Sequence, residues 1–209
     1  MNRFLIIIVL LLVYPDSKAQ NLELGGEFGY GFAILNDHFI VPDLSGNHPG
    51  NNYYLSFIFS LKPNIHSLSF NTGLKYQYKG NRYFGLNYFK IPFGVNAEPG
   101  RKLKFLIGIG VYTSYLFMFS GFPDSDLKRS HSDFQFGLYI GSGLKYNINK
   151  LWSTFFQLQI DFDVTPLYKE SIPSHFGYTR YQNIHGYDYT INFGFKYLIQ
   201  QKQKKTEDN

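Results

Sequence analysis

Apolar and polar residues alternate one by one along most of this chain. In the stretch 103–117, Leu103, Phe105, Ile107, Ile109, Val111, Thr113, Tyr115 and Phe117 share one parity, while Lys104, Gly108, Gly110, Tyr112 and Ser114 occupy the other. Residues 105–122 carry no charge, so a hydropathy profile alone would suggest a membrane helix. A helix needs apolar residues at i, i+3, i+4 and i+7, whereas period two marks a strand with one apolar face. The aromatics and β-branched residues favour the strand as well.

The same alternation recurs at 68–78, 134–148, 152–162 and 189–199, and more weakly at 22–33, 53–62 and 83–96. These make eight strands of about ten residues or more, enough to cross a bilayer when tilted and longer than the ~5–6 residues of an average soluble strand. Short links at 62–65, 98–101 and 147–150 are rich in Pro, Gly and Asn, which form tight turns. Longer links run over 34–52, 120–132 and 165–185, and only 79–82 is short where a long one is expected. Tight turns at one end and long loops at the other are the organisation of outer-membrane barrels. The expected fold is therefore all-β, an eight-stranded antiparallel up-and-down transmembrane β-barrel.

A soluble eight-stranded barrel would turn its apolar parity inward around a ligand and show charge outside. Here the second parity carries Gly, Ser, Asn, Gln and ions, which suit the crowded interior of a narrow barrel. The parity of Phe, Tyr, Leu and Ile then needs hydrocarbon as its solvent. Pro92 lies within the strand at 83–96 and has no N–H to donate, so it implies an irregularity in that ladder.

The first residues read as a secretory signal: Arg3 is positive, 4–14 is apolar, and Ser17-Lys18-Ala19 supplies small residues for a cut after Ala19. The expected division is a signal peptide at 1–19, the barrel at 20–199 and a polar tail at 200–209. Removing Arg3, Asp16 and Lys18 lowers the formal charge from +5 to +4. Neither value forms a basic stripe of the kind nucleic acid requires. Of 209 residues none is cysteine, which excludes disulfides, thiol chemistry and Cys-bound metal, and suits export to a bacterial periplasm or outer membrane.

The run Tyr88-Phe89-Lys90-Ile91-Pro92-Phe93-Gly94-Val95, followed by the Pro99-Gly100 turn and then Gly108-Ile109-Gly110-Val111-Tyr112, resembles the segment shared by PorT-like outer-membrane β-barrel proteins. The signal, the Gln20 start and the aromatic last strand agree with it. The resemblance implies an eight-stranded barrel in a Gram-negative outer membrane, and PorT itself is tied to protein secretion and gliding machinery. The final strand, with Gly194 followed by Tyr197 and Ile199, also resembles the signal read by barrel-insertion machinery.

By parity, Lys75, Lys90, Lys104, Lys145 and Lys196 point into the lumen with Glu23, Glu27, Asp161, Asp163 and Asp188. Charges in a narrow lumen must pair, so these ten residues are expected to form an ion-pair plug. His38, His48, His131, His175 and His185 fall in the long loops, but none has the close spacing of a metal site, and neither metal nor cofactor is expected. A lipid-modifying enzyme would use groups such as His131-Ser132-Asp133 or Ser174-His175. Adjacent strand residues face opposite ways, so His131 could not orient Ser132. In the loop after the seventh strand, Tyr168, His175, Phe176, Tyr178, Arg180 and Tyr181 sit among Ser, Pro and Gly. Tyr and Arg supply contact energy at interfaces, which makes this loop the candidate partner surface. The expected function is non-enzymatic: a monomeric barrel in membrane lipid that binds or anchors a protein partner, or assists secretion or surface assembly. The alternatives are a lipid A or phospholipid enzyme and a narrow transport barrel.

Overall fold

The computed structural model describes residues 21–35, 48–63, 67–80, 84–121, 133–165, 168–173, 179–184 and 186–199. The signal segment, its cleavage point and the polar tail lie outside the described residues.

Ten strands follow one another: β1 (Asn21–Leu35), β2 (His48–Lys62), β3 (Leu68–Gly80), β4 (Phe84–Ala97), β5 (Leu103–Gly121), β6 (Phe134–Asn147), β7 (Trp152–Asp163), β8 (Tyr168–Pro173), β9 (Thr179–Ile184) and β10 (Gly186–Ile199). Eight of them close antiparallel into a barrel in the order β1-β10-β7-β6-β5-β4-β3-β2, and β8 and β9 form a separate two-stranded sheet. The uncharged stretch at 105–122 is thus a long strand, as its period requires, and no described helix is long and apolar enough to span a membrane. Several strands run past their expected ends. Lys79 belongs to β3 rather than to a link, and β1 and β2 take up both ends of the 34–52 connection.

The barrel's polarity is inverted relative to a soluble protein. On the outside, Leu55 is 66% exposed, Ile109 65% and Ile107 58%, whereas the inward parity of the same strands is buried. Such a surface is stable only against hydrocarbon. Aromatic pairs lie at both ends of this apolar band. Trp152 and Tyr197 meet at 4.9 Å beside the tight turns, while Tyr53 stacks on Tyr78 at 4.8 Å and Phe32 on Tyr189 at 5.2 Å towards the other end. Aromatic girdles of this kind mark the two membrane interfaces.

Two irregularities interrupt the ladders. Opposite β3 the paired residues step from Thr72 and Phe93 to Lys75 and Lys90, which leaves Pro92 and Ile91 outside the ladder on that side. That is where Pro92, without an N–H, cannot donate. Between β4 and β5 the register shifts at Asn87/Tyr88, so β5 carries one extra residue. Phe117 and Met118 consequently both face outward, breaking the alternation that holds earlier in β5. At the β4–β5 turn Gly100 has a φ of +124°, a conformation that a side chain would strain.

Inside, glycine makes room for rings. A Cβ at Gly29 would overlap the Tyr54 ring, one at Gly137 the Tyr112 ring, and one at Gly94 or Gly110 the Tyr139 ring. The apolar content of the lumen is small, with Ile58, Leu106 and Phe155 forming one buried cluster among the described residues.

Candidate functional site: the charged lumen and the outer hairpin

The lumen is filled by ion pairs arranged in layers along the barrel. Nearest the long loops, the Lys79 ammonium lies 2.7 Å from Asp188 and 3.3 Å from Asp163. Gln77 Nε2 donates to Asp188 at 3.1 Å and to Asn52 Oδ1 at 2.9 Å. The Tyr112 hydroxyl donates to Asp163. In the next layer Lys90 donates to Asp161 at 2.5 Å, and Gln159 Nε2 bonds the other carboxylate oxygen at 2.6 Å. Lys90 also sits 3.6 Å over the Tyr112 ring. Lys75 lies 3.6 Å from Glu27 and the same distance over the Tyr54 ring, a cation–π contact.

Nearest the tight turns, two carboxylates hold three lysines. Lys145 reaches Glu23 at 2.9 Å and Glu98 at 3.3 Å, and Lys62 reaches the same two at 2.7 and 2.9 Å. Lys104 stands 3.9 Å from Glu98, the longest of these contacts. Ser69 donates to the second Glu98 oxygen at 3.0 Å. Glu98 belongs to the turn after β4. Burial alone would raise its pKa, but Lys145, Lys62 and Lys196 together hold it down to about 2. Lys196 is bonded to neutral groups, Ser60 Oγ at 2.8 Å and Asn71 Oδ1 at 3.2 Å.

All ten residues assigned to the lumen by parity face it, with Glu27 and Lys104 the least enclosed. Beyond those five cations and five anions, Lys62, Lys79 and Glu98 also enter the network. Lys62 and Glu98 flank tight turns, and Lys79 was assigned to a link. Their only sequence signal was parity continued one or two residues past the apolar stretch.

The register places like charges side by side. Lys75 pairs with Lys90, Lys104 with Lys145, and Asp161 with Asp188. Each is compensated from elsewhere in the lumen, as Lys145 of β6 is by Glu23 of β1. Between the layers lies a cavity of about 60 Å³, room for little more than water. The lumen thus serves as a packed polar core rather than an open channel.

The second candidate surface is the connection from β7 to β10. The long link at 165–185 contains a hairpin in which β8 and β9 pair antiparallel from Tyr168↔Ile184 to Pro173↔Thr179. Tyr168 lies on β8, and Arg180 and Tyr181 on β9. His175, Phe176 and Tyr178 lie outside the described residues, as do His38, His131, Ser132, Ser174 and His185. Among the described residues no group of His, Asp and Glu is arranged to hold a metal.

Comparison with known proteins supports the architecture. The outer membrane protein AlkL, solved by solid-state NMR in DMPC lipid bilayers, matches over 91% of this chain and 97% of its own, with a TM-score of 0.52 at 10% identity. The fold is that of an outer-membrane β-barrel. Neisserial surface protein A matches over 86% of this chain and 99% of its own at 11% identity and a TM-score of 0.49. The outer membrane enzyme PagL matches over 80% and 97% at 17% identity and a TM-score of 0.49. No family model matches the chain, and no curated protein matches it by sequence.

Proposed function

We propose that this chain is a non-enzymatic barrel of a Gram-negative outer membrane that presents the β8–β9 hairpin to a protein partner at the cell surface, as an anchoring module or an accessory of secretion or surface assembly. The hairpin is the observation that carries this reading. The barrel exterior belongs to lipid and its interior to ion pairs, so the surfaces left for a partner are the two ends. At one end the connections are tight turns; at the other, the β7–β10 connection is long enough to build its own two-stranded sheet. Binding residues concentrate on loops held by a rigid scaffold, and Arg180 and Tyr181 both belong to β9. The resemblance of residues 88–112 to PorT-like proteins favours the secretion-accessory form of the reading.

The test is deletion of residues 168–184. Barrel closure does not involve them, so the variant should keep its mobility shift between unboiled and boiled samples. Crosslinking in cells should capture a partner with the intact chain and lose it with the deletion. Capture of the same partner by the deletion variant would refute the hairpin's role and move the search to the tight-turn end.

A further inference from the structure

The tight-turn end of the lumen opens into a cavity of about 340 Å³ bordered by Lys62, Lys104, Lys150, Glu23 and Glu98. We propose that this cavity binds a phosphate group. The proposal is independent of the hairpin and rests on a charge imbalance confined to one end of the barrel. In this layer Lys62, Lys104 and Lys145 pair with the carboxylates of Glu23 and Glu98, and Lys196 is held by the neutral Ser60 and Asn71, four cations to two anions. Towards the long loops the balance reverses: Lys75, Lys79 and Lys90 meet Glu27, Asp161, Asp163 and Asp188.

The excess is costly where it stands. Lys145 is 1% exposed and Lys196 5%, so bulk water does not solvate the surplus. Two remedies exist: a lysine sheds its proton, or an anion supplies the missing charge. The cavity supports the second. A free phosphate or phosphomonoester carries about −1.5 to −2 at neutral pH and cancels most of an excess of two, and a lipid phosphodiester, with about −1, cancels half of it. Lysine binds phosphate as a point charge, without the planar fork by which arginine clamps carboxylates. Two of the bordering cations are available for it. Lys104 is only loosely held by Glu98, at 3.9 Å, and Lys150, in the β6–β7 turn, makes no ion pair among the described residues. Each can turn towards a ligand without stranding a carboxylate, since Lys62 and Lys145 keep both glutamates paired.

The experiment is calorimetric titration of inorganic phosphate into the full chain folded in detergent, with sodium chloride at matched ionic strength as the reference. Saturable phosphate binding is expected. Lys104→Ala should weaken it about tenfold, the effect of losing one charge-assisted contact, and Lys104→Ala with Lys150→Ala should weaken it further. Lys102→Ala removes an exposed cation that lies 5.3 Å over the Tyr146 ring and does not border the cavity, so binding should be unchanged. The unboiled gel shift verifies that each variant is folded. Repeating the titration in nanodiscs with and without phosphatidylglycerol separates the sources. If the anionic lipid suppresses phosphate binding, the site takes a headgroup; if binding persists, it takes a soluble phosphate. Absence of saturable binding would mean that the charge is relieved by proton loss, and the proposal would be overturned. So would a folded Lys104→Ala variant that binds as tightly as the wild type, or equal loss in Lys102→Ala.

Discussion

Replacing Lys90 with Met isolates one ion pair of the lumen. Lys90 is 2% exposed and donates to Asp161 at 2.5 Å, and Asp161 is itself 3% exposed. Methionine keeps the volume of the side chain and removes its charge, leaving Asp161 with the Gln159 amide as its remaining hydrogen bond. Breaking a buried pair from one side costs about 3–5 kcal/mol, because the survivor's desolvation is no longer offset. With a urea dependence of about 2 kcal/mol per molar, the unfolding midpoint should fall by roughly 2 M. Asp161→Asn should cost a similar amount for the mirror-image reason. The double variant carries no charge at either position and should lose much less than the two singles combined, with a coupling of about 2–3 kcal/mol. The assay is urea unfolding in lipid vesicles, followed through the fluorescence of Trp152, the single tryptophan of the chain, and by gel mobility. Single variants with wild-type midpoints, or a double variant whose loss equals the sum of the singles, would refute the claim that this pair is a desolvated structural unit.

Gly29→Ala should destabilise the barrel by about 1–3 kcal/mol through overlap with the Tyr54 ring, and adding Tyr54→Leu should recover most of the loss, as read by the same unfolding curves. Glu98 has a folded pKa below its ordinary value, so the stability it contributes is complete above pH of about 4.5 and disappears as the pH falls towards 2. Glu98→Gln should therefore flatten the acid limb of the stability profile, and an unchanged limb would contradict the assignment. Because the lumen is filled, reconstitution in planar bilayers should yield no stable large conductance; reproducible large channels would show that the layers of ion pairs open.

Period two alone was enough to read the barrel, because a strand with lipid on one face and a narrow polar lumen on the other leaves no position neutral. The same rule placed ten lumen charges, but it stops where the apolar face stops. Lys62, Lys79 and Glu98 lie at strand ends or in a turn, and their inward direction is fixed by how far each strand continues. The outward pair Phe117 and Met118 was illegible for a different reason: a bulge depends on the register between two strands, which one strand's sequence does not contain. Partners were hidden for the same reason. Lys145 and Glu23 are 122 residues apart, and their contact arises only when the sheet closes on itself. The β8–β9 hairpin is hard to read from sequence because its strands are six residues each, with Pro173 closing the first and Ser and Gly between them, and lack a sustained apolar parity.

The facing pairs of like charge bear on how the barrel assembles. Considered as isolated hairpins, β3–β4 brings Lys75 against Lys90 and β5–β6 brings Lys104 against Lys145. Like charges directly opposite destabilise a strand pair, and their relief comes largely from strands elsewhere around the barrel. Adjacent strands therefore gain little from pairing early, and the favourable electrostatics arrive when β1 meets β10 and the lumen closes. Swapping Lys75 to Glu should give a hairpin that pairs more readily with β4 but a closed barrel that is less stable; if both forms gained, closure would not be the step that the charges reward. A sheet left open at that seam keeps its repulsion and forgoes its compensation, so the charge pattern discourages half-built intermediates as firmly as it supports the finished barrel.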